Sequence, residues 1–330
     1  MRRSAVKHAG AFSVPWLVTI LLALSVIWGS QYLVIRVATQ TLPVLAALAL
    51  RFAVVWACAQ VWLWRAPAPV PSGHRAGRLL YGLTHLSSMA LLYWGQQHVP
   101  VAITGMLLAL GPLFVTMLAH GLVPGERLRR ADVLPLLVAT AGTVAMIHGA
   151  SANAPGTAPG SWVALGCLGV MGAALSGAAL RVTAKRLVEV IPVPVMLRDM
   201  GAVVAVGATT MSVLLEHPLD WSPSAVSLGA AVYLGAVASV FATGLYLRVL
   251  RDVAVGLLAY QQFLTALVSV VLGVTLGEDR LSGTSVAGGA AVLAALALRL
   301  HRPVGVDNSS GALKTIVHSG AQETRPSWPR

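Results

Sequence analysis

Polar and aromatic side chains recur at helical spacing inside long apolar segments of this chain. Trp28 and Tyr32 are four residues apart in one segment, and His85 and Ser88 are three apart in another, which places each pair on one helical face. Polar groups in apolar helices are costly and usually face the interior of a bundle. We therefore expect a cavity for a small molecule. Its predicted lining is Trp28, Gln31, Tyr32, His85, Ser88, Tyr93, Tyr233, Tyr246, Tyr260, Gln261 and Gln262.

Three of these residue types suggest particular chemistry. Trp28 is either an aromatic wall that contacts an ammonium group through a cation–π interaction, or packing bulk between helices. The pKa of an unperturbed histidine is about 6.5, which would suit His85 for proton coupling; the alternative is a hydrogen-bonded core histidine. Gln261 and Gln262 carry both donors and acceptors, so either one could face the cavity.

Four charged residues suggest a gating device. Arg51 and Glu278 are predicted near the outer ends of their segments, and Arg198 and Glu126 near the inner ends. We interpret them as two opposing ion pairs that form and break in turn. The alternative is structural: each glutamate meets the dipole of the following helix, each arginine extends to the membrane interface, and Asp199 neutralises Arg198.

Other chemistries have no signature in the sequence. There is no Gly-x-x-x-x-Gly-Lys-Ser/Thr pattern for ATP hydrolysis and no His-Glu-x-x-His zinc pattern. Cys58 and Cys167 lie within apolar segments, where cysteine behaves as a small hydrophobe. We predict no catalytic residue, no metal and no cofactor.

The composition predicts which kind of secondary-structure element positions these residues. Of 330 residues, 57% are hydrophobic and 10% are charged, against about 25% charged in soluble domains. A helix needs about 20 apolar residues to cross a bilayer. We therefore predict an all-α membrane protein with ten transmembrane helices. The predicted spans are 14–38, 44–64, 79–97, 102–122, 131–148, 162–181, 194–215, 226–247, 254–276 and 285–300.

The net charge of +12 reports membrane orientation. With both termini in the cytoplasm, 19 of the 23 Lys and Arg residues, Arg181 among them, fall on the cytoplasmic side, as the positive-inside rule expects. Arg280 is outside, and Arg36, Arg51 and Arg198 lie within spans. No basic face of the kind that binds nucleic acid is present. Nucleic acid is therefore excluded as a partner.

An internal repeat divides the chain into two halves. Tyr93 precedes Glu126 by 33 residues, and Tyr246 precedes Glu278 by 32. Because each half holds five spans, the second copy must enter the membrane inverted, as in inverted-repeat transporters. The predicted organisation is a cytoplasmic N-terminus over 1–13, repeats over 14–148 and 162–300, and a cytoplasmic tail over 301–330 that we expect to be disordered.

Short motifs in a fixed order resemble one known family. They are Trp28-Gly29-Ser30, the stretch from Pro43 to Arg51-Phe52, Leu110-Gly111-Pro112-Leu113, Gly125-Glu126-Arg127-Leu128, and Gly277-Glu278 with Arg280-Leu281. The chain thereby resembles the EamA-like members of the drug/metabolite transporter superfamily over residues 14–300. It departs from their pattern at Leu264, where the counterpart of Pro112 is missing, and at Asp279, which interrupts the Glu-Arg pair.

The resemblance implies a ten-helix secondary transporter with a central cavity, commonly an exporter of amino acids or other small metabolites. We expect it in the cell (inner) membrane, driven by proton exchange or by the substrate gradient, as a monomer or homodimer in the lipid bilayer. Because Asp199 is the one acid deep in a span, a neutral, zwitterionic or anionic substrate is favoured. The alternatives are a membrane-embedded enzyme and a membrane assembly partner that does not transport.

Overall fold

The computed structural model describes residues 14–70, 72–122, 130–152, 160–216, 222–252, 260–276 and 281–300. Those residues form helices and short turns, with no strand among them. The helices are α1 (Val14–Ala38), α2 (Val44–Arg65), a 3₁₀ turn (Ser72–His74), α3 (Arg75–Gln96), α4 (Val101–Leu108), α5 (Gly111–Leu122), α6 (Arg130–Ala152), α7 (Gly160–Val188), α8 (Val193–Leu215), α9 (Ala225–Tyr233), a π-helix (Leu234–Phe241), α10 (Ala242–Asp252), α11 (Tyr260–Thr275) and α12 (Gly283–Leu300).

Prolines set the starts of three helices. Pro43, Pro100 and Pro192 precede α2, α4 and α8, each with φ near −55° to −60° and an extended ψ. A proline has no backbone N–H, so it cannot continue a preceding helix, but its carbonyl can accept the first bond of the next one. The amide of Ala47, for example, donates to the Pro43 carbonyl over 2.9 Å.

Two predicted spans are interrupted. The span predicted over 102–122 is instead α4 and α5, separated by a turn at residues 109–110. Pro112 in the first turn of α5 has no N–H to donate backward, which explains the break. The span predicted over 226–247 contains the π-helix, a feature with no signal in the apolar pattern. The span predicted over 162–181 agrees within one residue with the membrane-capable stretch Ser161–Arg181, although the helix α7 runs on to Val188.

The outer faces of the bundle suit lipid. Within the described ranges, five helices are long and apolar enough to cross a membrane: Trp16–Ala38, Val44–Arg65, Ser161–Arg181, Val193–Leu215 and Ala225–Leu250. Large apolar side chains point outward, with Val206 68% and Leu214 75% exposed. Exposure of that kind is unfavourable in water and favourable in a bilayer. The prediction of an all-α membrane protein is confirmed at this level.

Helix pairs bring distant parts of the sequence together. α2 packs along α8, α3 along α7, α6 along α12 and α1 along α11. A glycine permits the contact that matters most for the site: a Cβ added to Gly235 of the π-helix would lie 2.6 Å from the backbone oxygen of Arg51 in α2. The π-helix can therefore lie against the backbone of α2.

Candidate functional site

A cavity of about 150 Å³ lies within the helical bundle. Residues of α1 to α5 line it together with residues of α7, the π-helix, α10 and α11. An apolar cavity of that volume in another protein accommodates benzene, so there is room here for a small metabolite. Seven of the eleven predicted cavity residues line it: Trp28, Gln31, Tyr32, His85, Ser88, Tyr246 and Gln262.

The other four predicted residues have different positions. Tyr93 is fully buried behind the cavity wall, where its hydroxyl accepts a hydrogen bond from Arg51. Gln261 is 1% exposed and donates to Thr265 over 3.0 Å. Tyr233 is half-buried at the end of α9, away from the lining residues. The side chain of Tyr260 lies outside the described residues.

Arg51 is held in place by three side-chain hydrogen bonds. Its side chain is almost fully buried, with 3% exposure. Nε donates to the Ser239 hydroxyl over 3.0 Å, one terminal nitrogen to Gln31 Oε1 over 3.1 Å, and the other to the Tyr93 hydroxyl over 3.3 Å. All three acceptors are neutral, so they orient the guanidinium group without cancelling its charge.

The π-helix supplies the acceptor for Nε. The Ser239 hydroxyl donates to the carbonyl of Leu234, five residues earlier, over 3.0 Å. That bond leaves the oxygen lone pairs free to accept from Arg51. Single π-helical turns occur frequently at functional sites. Here the π-helix holds a hydroxyl against a buried cation.

Aromatic side chains form one wall of the cavity. Trp28 donates from Nε1 to the Ala238 carbonyl over 3.0 Å, and its ring lies 5.3 Å from that of Tyr246. Because the indole is tied to the π-helix and packed on a second ring, its orientation is fixed on the α1 side. An aromatic wall of this kind supplies apolar contact area to a bound molecule.

His85 lines the cavity and carries a buried nitrogen that has no partner among the described residues. Its ring packs edge-on against Phe52 at 5.2 Å between centroids. Nδ1 is buried and has no hydrogen-bond partner in the described part of the chain. Ser88, one turn further along α3, donates to the Ala173 carbonyl over 2.9 Å. The serine hydroxyl thus ties α3 to α7.

Arg181 is a cavity residue that the sequence argument missed. The sequence places it at the cytoplasmic end of a predicted span; in the structure it lies in α7, seven residues before the helix ends, and lines the cavity. Gly111 leaves space for it, because a Cβ there would lie 2.9 Å from an Arg181 nitrogen. The spacing from a proline is a signal that could have found it: Arg181 precedes Pro192 by eleven residues, and the predicted cavity residue Tyr32 precedes Pro43 by the same number.

A second charged cluster lies at the start of α8. Asp199 pairs with Arg198 at 2.6 Å and with Arg78 of α3 at 2.9 Å. Asp199 therefore neutralises Arg198, as the structural alternative expected. Glu126 and Glu278 lie outside the described residues, so the two gating pairs stay predictions.

The described residues contain no group of three or more His, Cys, Asp or Glu positioned to hold a metal ion. The polar groups that converge on the cavity are arginine, glutamine, serine, tyrosine and histidine side chains. Such groups bind a ligand by hydrogen bonds and charge.

The known proteins that this chain resembles in sequence are membrane transporters. Residues 15–147 match the EamA-like transporter family. The chain is 27% identical over 270 residues to the "Uncharacterized inner membrane transporter YedA" of Escherichia coli strain K12 and, to the same extent, to that of strain O157:H7, covering 79% of this chain and 83% of each relative.

A protein of known crystal structure shares the fold, with a TM-score of 0.61, 24% identity, and coverage of 85% of this chain and 95% of the other. The likeness extends through both halves of the helical bundle. The resemblance predicted from the sequence is confirmed, because residues 15–147 of this chain are similar to the EamA-like transporter family.

Proposed function

We propose that the protein is a secondary transporter that exports a small metabolite, such as an amino acid or related compound, across the inner membrane by alternating access. The cavity carries the proposal, because its polar groups come from both halves of the chain: Arg51 and His85 from the first, Arg181, Ser239 and Gln262 from the second. A site at the junction of two halves is where relative movement can change access. The family match and the membrane relatives support the same reading.

The proposal includes ten membrane helices in two inverted repeats, over 14–148 and 162–300. In this count α4 with α5 is one span, and α9 to α10 is another. Matching prolines support the repeat, since Pro43 and Pro192 cap α2 and α8 with the same extended backbone. α2 and α8, which would be equivalent helices, also pack along each other.

The basic residues support placing both termini in the cytoplasm. Export would be driven by proton exchange, with His85 as the titrating group, or by the substrate gradient alone. The predicted ion pairs Arg51–Glu278 and Arg198–Glu126 would alternate during the cycle, and the unit would be a monomer or a homodimer.

Filling the cavity tests the proposal. Gly177 lines it, and a Cβ there would meet nothing nearer than the Ser88 oxygen at 3.5 Å. A phenylalanine at this position therefore enters the cavity without a backbone clash. Gly229 is exposed, and a Cβ added there would meet no other atom within 4 Å, so Gly229→Phe is a matched control on the lipid side.

The full chain would be reconstituted in liposomes, and uptake measured across a panel of radiolabelled small metabolites. We expect saturable uptake of at least one compound, lost in Gly177→Phe and retained in Gly229→Phe. Absence of saturable uptake across the panel, or equal uptake by the two variants, would overturn the proposal.

A further inference from the structure

The charges that face the cavity are unbalanced. Arg51 and Arg181 both line it, and the described lining residues include no aspartate or glutamate. Two guanidinium groups therefore line one cavity.

Neither arginine has a carboxylate to neutralise it among the described residues. Arg51 is bonded to Gln31, Tyr93 and Ser239, all neutral. Arg181 makes no hydrogen bond or ion pair with another residue in the part of the chain that the structure describes. Cations within a membrane bundle are costly and are normally paired. Arg181 belongs to neither of the proposed gating pairs, so its partner is expected to be the ligand.

Other groups of the cavity define the rest of that ligand. His85 lines the cavity, and its buried Nδ1 has no hydrogen-bond partner among the described residues. Trp28, Met89 and Leu92 supply apolar surface. An ammonium group would find no acid among the described lining residues, and it would be repelled by both arginines.

We propose that the cavity binds a small organic anion, with its carboxylate or phosphate oxygens on Arg51 and Arg181 and its apolar part against Trp28. The guanidinium fork matches both oxyanions. This inference rests on the proposed transport function for its physiological meaning, but the binding it describes can be measured without transport. It narrows the substrate from metabolites in general to those with a net negative charge.

Four compounds that share a 2-methylbutane carbon skeleton separate the possibilities. They are 4-methylpentanoate, 3-methylbutyl phosphate, leucine and 3-methylbutylamine. Binding to the purified full chain in detergent would be measured by calorimetry and by thermal stabilisation. We expect the carboxylate or the phosphate ester to bind at least about tenfold more tightly than leucine, since the ammonium adds a desolvated charge without a partner, and the amine to bind most weakly. Leucine or the amine binding as tightly as both anions would overturn the inference.

The variant Arg181→Gln tests whether the anion binds in the cavity. Because Arg181 has no partner among the described residues, the variant is expected to fold, and anion binding should weaken about ten- to a hundredfold, the usual worth of a charged hydrogen bond. Arg181→Lys should retain most of the affinity for the anion. Arg65→Gln removes the same charge from an exposed position at the end of α2 and should change nothing. Equal behaviour of Arg181→Gln and Arg65→Gln would contradict the assignment.

Transport of the same four compounds distinguishes the two proposals. If the anions bind and none of the four compounds crosses the liposome membrane, the inference about the cavity stands and the proposed function fails. If leucine or the amine is transported while the anions neither bind nor move, transport stands and the inference is wrong.

Discussion

The hydrogen bond between Arg51 and Ser239 joins the two halves of the chain at the cavity. The two side chains are 3% and 1% exposed, and the Nε to Oγ distance is 3.0 Å. We predict that Arg51→Met and Ser239→Ala are energetically coupled. In a double-mutant cycle, Ser239→Ala should cost less free energy of unfolding when Arg51 has already been replaced.

The size of the coupling follows from the geometry. Hydrogen bonds between membrane helices average about 0.6 kcal/mol in such cycles, with a maximum of about 1.7. This bond is charge-assisted, well buried and of normal length, so we expect about 1 to 1.7 kcal/mol. The Arg51 to Tyr93 bond, at 3.3 Å, should show a smaller coupling with Tyr93→Phe.

Reversible unfolding in mixed micelles, followed by tryptophan fluorescence, would measure the four free energies. Ser88→Ala is the matched control, because Ser88 also lines the cavity but bonds to the Ala173 carbonyl. Its effect should add to that of Arg51→Met within about 0.3 to 0.5 kcal/mol. Additivity of Ser239→Ala with Arg51→Met within the same limit would refute the description of the Arg51 site.

Two further predictions concern stability. Asp199→Asn should lower the free energy of unfolding by about 2 to 4 kcal/mol, because it leaves the buried Arg78 without its carboxylate. Adding Arg78→Met in the same chain should recover part of that loss. If the unfolding titration in micelles shows no recovery, the ion pair is contradicted. Gly235→Ala should cost about 1 to 3 kcal/mol, since its methyl group would press on the α2 backbone, whereas Gly229→Ala should cost nothing; equal melting temperatures of the two variants would contradict the close contact.

Helix starts marked by proline were well predicted from sequence. The expected spans 44–64 and 194–215 agree within one residue with α2 and α8, because Pro43 and Pro192 act locally. The break between α4 and α5 and the π-helix were missed. Both depend on how the backbone bonds within a packed bundle, and an apolar run looks the same with or without them.

Helical spacing identified the faces of the cavity helices but could not tell a cavity from a helix contact. Trp28 and Tyr32 face the cavity, while Gln261 turns to Thr265 within its own helix. Both positions are interior, so burial alone does not separate them. The distinction requires knowing which neighbouring helix fills the space.

Arg181 is difficult to place from hydropathy, because it stands at the end of an apolar run. The predicted span 162–181 ended at this residue because a charged side chain terminates an apolar run. Counting loop charges then assigned Arg181 to the cytoplasm. The helix continues for seven residues beyond it, stabilised by packing on α3 and α5. The equal spacing of eleven residues from Arg181 to Pro192 and from Tyr32 to Pro43 is the sequence evidence that could have placed Arg181 at the cavity.

Trans-stimulation of uptake tests the central claim, that a cavity shared by both halves carries a small molecule across the membrane. Proteoliposomes would be preloaded with unlabelled compound, and uptake of the labelled compound measured from outside. A carrier that alternates its access predicts faster uptake with the internal compound present, and loss of this acceleration in Gly177→Phe. Uptake that does not respond to the internal compound, or that survives filling of the cavity, would contradict the account.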